Sequence, residues 1–206
     1  MKVKICGLRT EEAVLAAEDA GADFLGFIFY EKSHRHVLPE EVRGLTKHVQ
    51  RAKKVGVFVD APLDEVNAAA DFCSLDFVQL HGHESTAYAR AVHRPVIKVF
   101  RWGDDFSAEE ANDYPAEIIL LDSFSKDAVG GTGQRFRWRE AAEETARLEK
   151  PLLVAGGIAS GNVREAEEVF RPYGVDVSGS LEIEKRKSVE RIREFMAVVQ
   201  KRRIPE

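Results

Sequence analysis

The feature that most constrains this chain is an alternation of short β-rich runs with longer segments of helical period, repeated eight times from end to end. The strand candidates are Val3–Cys6, Phe24–Phe29, Lys54–Val59, Phe77–His81, Val96–Phe100, Glu117–Asp122, Leu152–Ala155 and Val175–Ser178. Apolar residues recur three and four apart in Thr10–Ala20, Pro39–Val49, Pro62–Phe72, Ser85–Val92, Ser107–Asp113, Trp138–Leu148, Gly161–Phe170 and Val189–Gln200. In the last of these, Val189, Ile192, Phe195, Met196 and Val199 mark one face. Strands separated by helices pair in parallel, because a parallel pair needs a long crossover. Eight such units in 206 residues predict an α/β fold, a single closed (β/α)8 barrel. It must be compact with short loops, since barrels of this kind typically take about 250 residues. A doubly wound open sheet is the rival that the same alternation allows. No Pro-, Gly- or Ser-rich linker divides the chain, so one domain is expected over residues 1–206.

Composition removes other classes. A hydrophobic share of 44% supports a buried core, and apolar runs such as Ile118 to Leu121 fall far short of a bilayer span, so no membrane partner is expected. A net charge of −5 offers no broad basic field for nucleic acid. Lys185-Arg186-Lys187 and Lys201-Arg202-Arg203 read as solvated faces. Two cysteines, Cys6 and Cys73, make no disulfide framework, and the chain opens into Lys2-Val3-Lys4-Ile5-Cys6 without the apolar stretch of a signal peptide. A reducing cytoplasm is the expected location.

In a barrel the site forms where strands end, so the residues finishing each strand carry the chemistry. Those ends read Cys6-Gly7, Phe29 with the loop Glu31–His36, Asp60, Gln79 and His81-Gly82, Arg101, Asp122-Ser123, Gly156-Gly157 and Ser178-Gly179-Ser180. The two late loops, Ala155–Ile158 and Asp176–Ser180, bring small residues whose amides can approach an anion closely. A phosphorylated small molecule is the natural ligand; tight turns alone would use the same glycines. The loop Ser123–Arg135 holds Gly130-Gly131-Thr132-Gly133, which suits a segment folding over a ligand and equally a flexible surface loop. Cys6 and Asp122 offer a thiolate base and a carboxylic acid for proton transfer. The alternative for Cys6 is a small buried hydrophobe, and Cys73 is read as that. Arg35, in Ser33-His34-Arg35-His36, has the donor fork that a planar carboxylate fits, though a surface arginine looks the same. His81-Gly82-His83 lacks a third ligand at metal-binding spacing, so no metal is expected.

Taken in order, these strand ends resemble a known family. Lys4-Ile5-Cys6-Gly7-Leu8, Gly21-Ala22-Asp23 through Gly26-Phe27-Ile28-Phe29, Ser33-His34-Arg35, Val55-Gly56-Val57-Phe58, Val78-Gln79-Leu80-His81-Gly82, Leu120-Leu121-Asp122-Ser123, Gly130-Gly131-Thr132-Gly133, Ala155-Gly156-Gly157-Ile158 and Gly174-Val175-Asp176-Val177-Ser178 are similar to the phosphoribosylanthranilate isomerases of tryptophan biosynthesis. The resemblance covers nearly the whole chain. It implies a phosphate-binding TIM barrel and a cofactor-free Amadori rearrangement of N-(5-phosphoribosyl)anthranilate to 1-(2-carboxyphenylamino)-1-deoxyribulose 5-phosphate. By the same resemblance Asp122 protonates the furanose oxygen as general acid and Cys6 takes the proton from ribose C2 as general base. Arg35 holds the anthranilate carboxylate, Gly156, Gly157, Ser178, Gly179 and Ser180 hold the phosphate, Asp176 sits near the sugar, and Gln79 and His81 line the site. Members of the family occur as monomers, homodimers and fusions; with no second domain read in this chain, monomer or homodimer is the expectation.

Two stretches depart from the family pattern. Where Ser-Ser-Gly and then Pro-Gly-x-Lys-Asp are usual, this chain has Ser178-Gly179-Ser180-Leu181-Glu182 followed by Ile183–Ser188, which predicts a remodelled phosphate loop and strain at Ser180 if its φ is positive. Gly133 is followed by Gln134-Arg135-Phe136-Arg137-Trp138, where a Lys and Phe-Asp-Trp are more usual. Both departures bear on affinity and loop closure more than on reaction type, because Cys6 and Asp122 remain. Two rival functions are weighed against the isomerase. The related isomerase of histidine biosynthesis would place aspartates at both acid and base positions, and a non-catalytic sugar-phosphate sensor would bind without turnover.

Overall fold

Eight strands each pair in parallel with the next, and the eighth returns to the first. The structure is a computed structural model describing residues 1–103, 106–122 and 133–201, with residues 133–137 described as backbone alone. The barrel strands are β1 (Lys2–Cys6), β2 (Phe24–Ile28), β3 (Lys53–Phe58), β4 (Phe77–Leu80), β5 (Val96–Arg101), β6 (Ile118–Asp122), β7 (Leu152–Ala155) and β8 (Gly174–Val177). The register that closes them aligns Lys4 of β1 with Asp176 of β8. This closure rules out the open sheet. Around the barrel run α1 (Glu11–Asp19), α2 (Pro39–Leu45), α3 (Leu63–Phe72), α4 (Thr86–Arg90), α5 (Ala108–Asp113), α6 (Gly133–Thr145), α7 (Val163–Phe170) and α8 (Val189–Gln200).

Local chemistry sets where these helices start. The hydroxyls of Thr10, Ser85, Ser107 and Ser188 accept from backbone N–H groups three residues on, and Pro39 opens α2 with its fixed φ and no donor to waste. Observed boundaries fall within a residue or two of those expected except in two helices. α6 runs Gly133–Thr145 rather than Trp138–Leu148, and α2 stops at Leu45, where Gly44 weakens the last turn, rather than at Val49.

Strand alternation divides the apolar residues between two cores. Ile5, Leu25, Phe27, Ile119, Leu121, Val175 and Val177 face outward under the helices, whose Val14, Val66, Ala166, Ile192 and Phe195 complete that layer. The inward set, Phe24, Val55, Ile97, Val99, Ile118, Leu120, Leu153 and Ala155, fills the barrel. Phe24 and Phe77 meet edge to face, with centroids 5.8 Å apart, at the N-terminal end. The charges around the cavity there, Lys2 with Asp23 at 2.7 Å and Lys53 with Asp76 at 2.9 Å, neutralise one another. The opposite mouth is where polar side chains converge.

One element was not foreseen. After β8 a 3₁₀ turn (Gly179–Leu181) leads into a hairpin of β9 (Glu182–Ile183) and β10 (Arg186–Lys187). Its turn residues Glu184 and Lys185 have φ of 48° and 63°, the left-handed pair of a type I′ turn, without the Asn or Gly that signals one. Ser180 lies inside the 3₁₀ turn and is not among the positive-φ residues, so the strain expected there does not arise. Lys187 is a second correction. Its side chain is 3% exposed and pairs with Glu182 at 2.6 Å, so it is no solvated surface charge.

Candidate active site

The inward, C-terminal positions of the strands surround a cavity of about 420 Å³. Eleven residues singled out in the sequence line it: Cys6, Arg35, Gln79, His81, Asp122, Gly156, Gly157, Asp176, Ser178, Gly179 and Ser180. Of the remaining candidates, Gly130, Gly131 and Thr132 lie outside the described residues, and Gly133 is the first residue of α6.

Cys6 ends β1 facing inward and is 6% exposed. Burial pushes its thiol above the ordinary value, opposed by the Lys4 ammonium and reinforced by the Asp176 carboxylate. Asp122 ends β6 and faces the same cavity. On β4, Gln79 is 1% exposed, and its amide nitrogen lies 3.3 Å from His81 Nδ1. Its Oε1 is the one buried side-chain polar atom without a hydrogen-bond partner among the described residues. An unmet buried acceptor is costly, and here it faces a cavity where a ligand hydroxyl would satisfy it. Burial also depresses the His81 imidazole and so favours the neutral ring, against the Asp122 carboxylate, which favours the charged one. His83, by contrast, is 92% exposed and sits on Asp60 at 3.4 Å, so the two histidines of the His-Gly-His run serve different places.

The late loops are tied together beneath the mouth. Gly156 and Gly157 have φ of 84° and 71°, conformations that glycine adopts without a Cβ penalty. Asn162 clasps this turn by donating to the Gly157 carbonyl and accepting from the Ala159 amide. Ser180 donates to the Ile158 carbonyl at 2.6 Å, and Ser178 donates to the Cys6 carbonyl at 2.9 Å. The small-residue loops of β7 and β8 and the end of β1 therefore form one connected rim.

Arg35 reaches this rim from the loop after β2, but its fork is engaged. Nε and one terminal nitrogen donate to the two Glu182 oxygens at 2.5 and 2.8 Å, while Lys187 holds the same carboxylate from the other side. Burial works against the charged Glu182, but these bonds prevail and hold its carboxyl down at about 2. Sequence reasoning missed Glu182 because it sits in a charge-rich stretch that reads as solvated. Cys73, in contrast, is as expected: buried against the Pro39 carbonyl, with its thiol pushed up to about 11 by burial.

Gly7 follows Cys6 at φ 80°, and a Cβ there would overlap Arg35 Cδ. Gly7→Ala is therefore expected to cost about 1–3 kcal/mol of stability, from the left-handed backbone and the displaced arginine. Calorimetric unfolding measures it, and an unchanged midpoint would mean that Arg35 swings aside freely.

Four likenesses bear on this geometry. Residues 3–198 match the family model described as N-(5'phosphoribosyl)anthranilate (PRA) isomerase. A curated N-(5'-phosphoribosyl)anthranilate isomerase from Geobacter sp. (strain M21) is 46% identical over 205 residues, covering 97% of this chain and 98% of that protein. The crystal structure of phosphoribosyl anthranilate isomerase from Thermus thermophilus superposes with a TM-score of 0.86 at 34% identity, over 98% of this chain and 99% of that one. A further crystal structure of the same kind of enzyme, in complex with reduced 1-(o-carboxyphenylamino)-1-deoxyribulose 5-phosphate, superposes at 0.85 with 32% identity and equal coverage.

Proposed function

The chain belongs to the N-(5'-phosphoribosyl)anthranilate isomerase family, and from that membership we propose that its cavity carries out the Amadori rearrangement with Asp122 as general acid and Cys6 as general base. The observation that carries the assignment is a single cavity into which a thiol, a carboxyl group and two small-residue loops all open. Asp122 gives a proton to the furanose ring oxygen; the C1–O bond breaks and the anilino nitrogen forms a double bond to C1. The Cys6 thiolate then takes the proton from C2. The released electron pair forms the C1–C2 double bond, and the iminium nitrogen recovers its lone pair. The enolamine tautomerises by gaining a proton at C1 and losing one from the C2 hydroxyl, leaving the ketone.

Binding follows from the rim. The phosphate sits against the amides of Gly156-Gly157 and Ser178–Ser180. The N–H groups of Arg35 that Glu182 does not use face the anthranilate carboxylate. Gln79 Oε1 takes a sugar hydroxyl, and Asp176 lies beside it. Among the described residues no helix is long and apolar enough to cross a membrane. The location proposed is the cytoplasm, on the strength of membership in a biosynthetic enzyme family.

The test is the loss of anthranilate-derivative fluorescence when freshly generated phosphoribosylanthranilate meets the protein, with excess downstream synthase to remove product. Rapid loss is expected, with the reduced product analogue acting as a competitive inhibitor. Binding of the analogue without turnover would mean a sensor. Turnover only of the phosphoribosyl substrate of histidine biosynthesis would mean the other isomerase.

A further inference from the structure

Lys4 is the most deeply buried charged side chain among the described residues, and neither the acid–base pair nor the anion-holding rim uses it. Its side chain is 0% exposed, and its ammonium meets the Asp176 carboxylate at 2.9 Å in the barrel interior. Burying such a pair costs several kcal/mol per ion, and apolar residues of similar volume often hold a core as well or better. The apolar cluster inside the barrel is built from Val, Ile, Leu, Phe and Ala, so the pair is a poor way merely to fill space.

What the ammonium gains is a place beside Cys6. Lys4 and Cys6 stand two residues apart on β1, on the same inward face, with Gly26 of β2 opposite Cys6 in the register. A Cβ added at Gly26 would lie 2.9 Å from Cys6 Sγ and 3.2 Å from Lys4 Nζ, so sulfur and ammonium converge on the position that glycine leaves empty.

We propose that Lys4, tethered by Asp176, is the positioning residue for the Cys6 base, supplying the positive charge against which the sulfur carries its negative one. The proposal rests on the reading of Cys6 as the base. Four charged groups face Cys6: Lys4 from the same strand, Asp176 from β8, Lys187 from β10 and Arg35 from the loop after β2; His81 faces the Lys4–Asp176 pair from just past the end of β4. Lys187 and Arg35 direct their charges at the single Glu182 carboxylate, whereas Lys4 Nζ converges with the sulfur on the Gly26 position, so Lys4 is the cation whose charge bears most directly on the thiol. Asp176 holds the ammonium in place and opposes it electrostatically.

The test titrates Cys6 without substrate, by the pH dependence of its alkylation with iodoacetamide, read at that residue by mass spectrometry. Lys4→Met is expected to move the midpoint up by at least one pH unit, and Asp176→Asn to move it down. A merely structural pair would move both the same way or neither, and either result would overturn the proposal. If Lys4→Met cannot fold with Asp176 unpaired, the neutral double variant Lys4→Met/Asp176→Asn decides: its midpoint should lie at least one unit above that of Asp176→Asn alone, and equality overturns the idea. The ascending limb of kcat against pH should follow the same shifts. Alkylation shifts that kcat does not follow would leave the Lys4–Cys6 coupling standing and remove Cys6 as the base.

Discussion

Cys6→Ser and Asp122→Asn are each expected to lower kcat by about two to four orders of magnitude, the usual contribution of a positioned acid or base, while affinity for the reduced product analogue stays within a few-fold. Serine matches cysteine in shape but keeps its proton at neutral pH, so it cannot take one from C2. Asparagine fills the place of Asp122 and has no acidic proton to give. Binding should survive because the rim does not depend on either side chain. Ser178 is tied to the Cys6 backbone carbonyl, which Cys6→Ser leaves in place, and Ser180 is tied to Ile158. The acid and base serve successive steps of one reaction, so the double variant should fall little below the weaker single one. Fluorescence progress curves give kcat, and calorimetry gives the analogue affinity. A Cys6→Ser protein retaining more than about a tenth of the wild-type rate would remove Cys6 as the base, given the size of such effects.

The barrel was readable because its two periods are physical requirements. A strand buried on both faces needs a continuous apolar run, and a covering helix needs a stripe, so the switches between them mark the strand ends that line the cavity. Cys6, Asp122 and the two late loops were legible for the same reason: a strand end in a barrel has one destination. What sequence could not show depends on contacts made across the fold. Lys4 reads as an ordinary charged neighbour of Cys6, and only the closing register of β1 with β8 sets it opposite Asp176 and removes it from water. Lys187 and Glu182 belong to a charge-rich run that looks solvated; the I′ turn at Glu184-Lys185, without its usual residues, folds the two together. Arg35 was recognised as a carboxylate holder, but the carboxylate it holds in this structure is one of the protein's own.

That internal carboxylate carries the second large expectation. Glu182→Ala removes the common partner of Arg35 and Lys187, leaving two cations facing each other in a place where the Glu182 side chain is only 8% exposed. Breaking a buried pair in this way typically costs about 3–5 kcal/mol, which for a chain of this size lowers the unfolding midpoint by roughly 10 °C. The kinetic effect should fall on KM more than on kcat, because Arg35 loses the anchor that aims it at the substrate carboxylate while Cys6 and Asp122 are untouched. Acid gives an independent check with a fixed sign. The Glu182 carboxyl titrates at about 2 in the folded protein, below its ordinary value of 4.5. Its contribution is therefore fully present above about 4.5 and is lost as pH falls toward 2. Glu182→Gln keeps the shape and one acceptor but not the charge. Its unfolding midpoint, followed by circular dichroism, should lie well below wild type at pH 7 and converge on it as pH drops through that window. Curves that stay parallel throughout would mean that whatever Glu182 contributes to stability does not come from its charge.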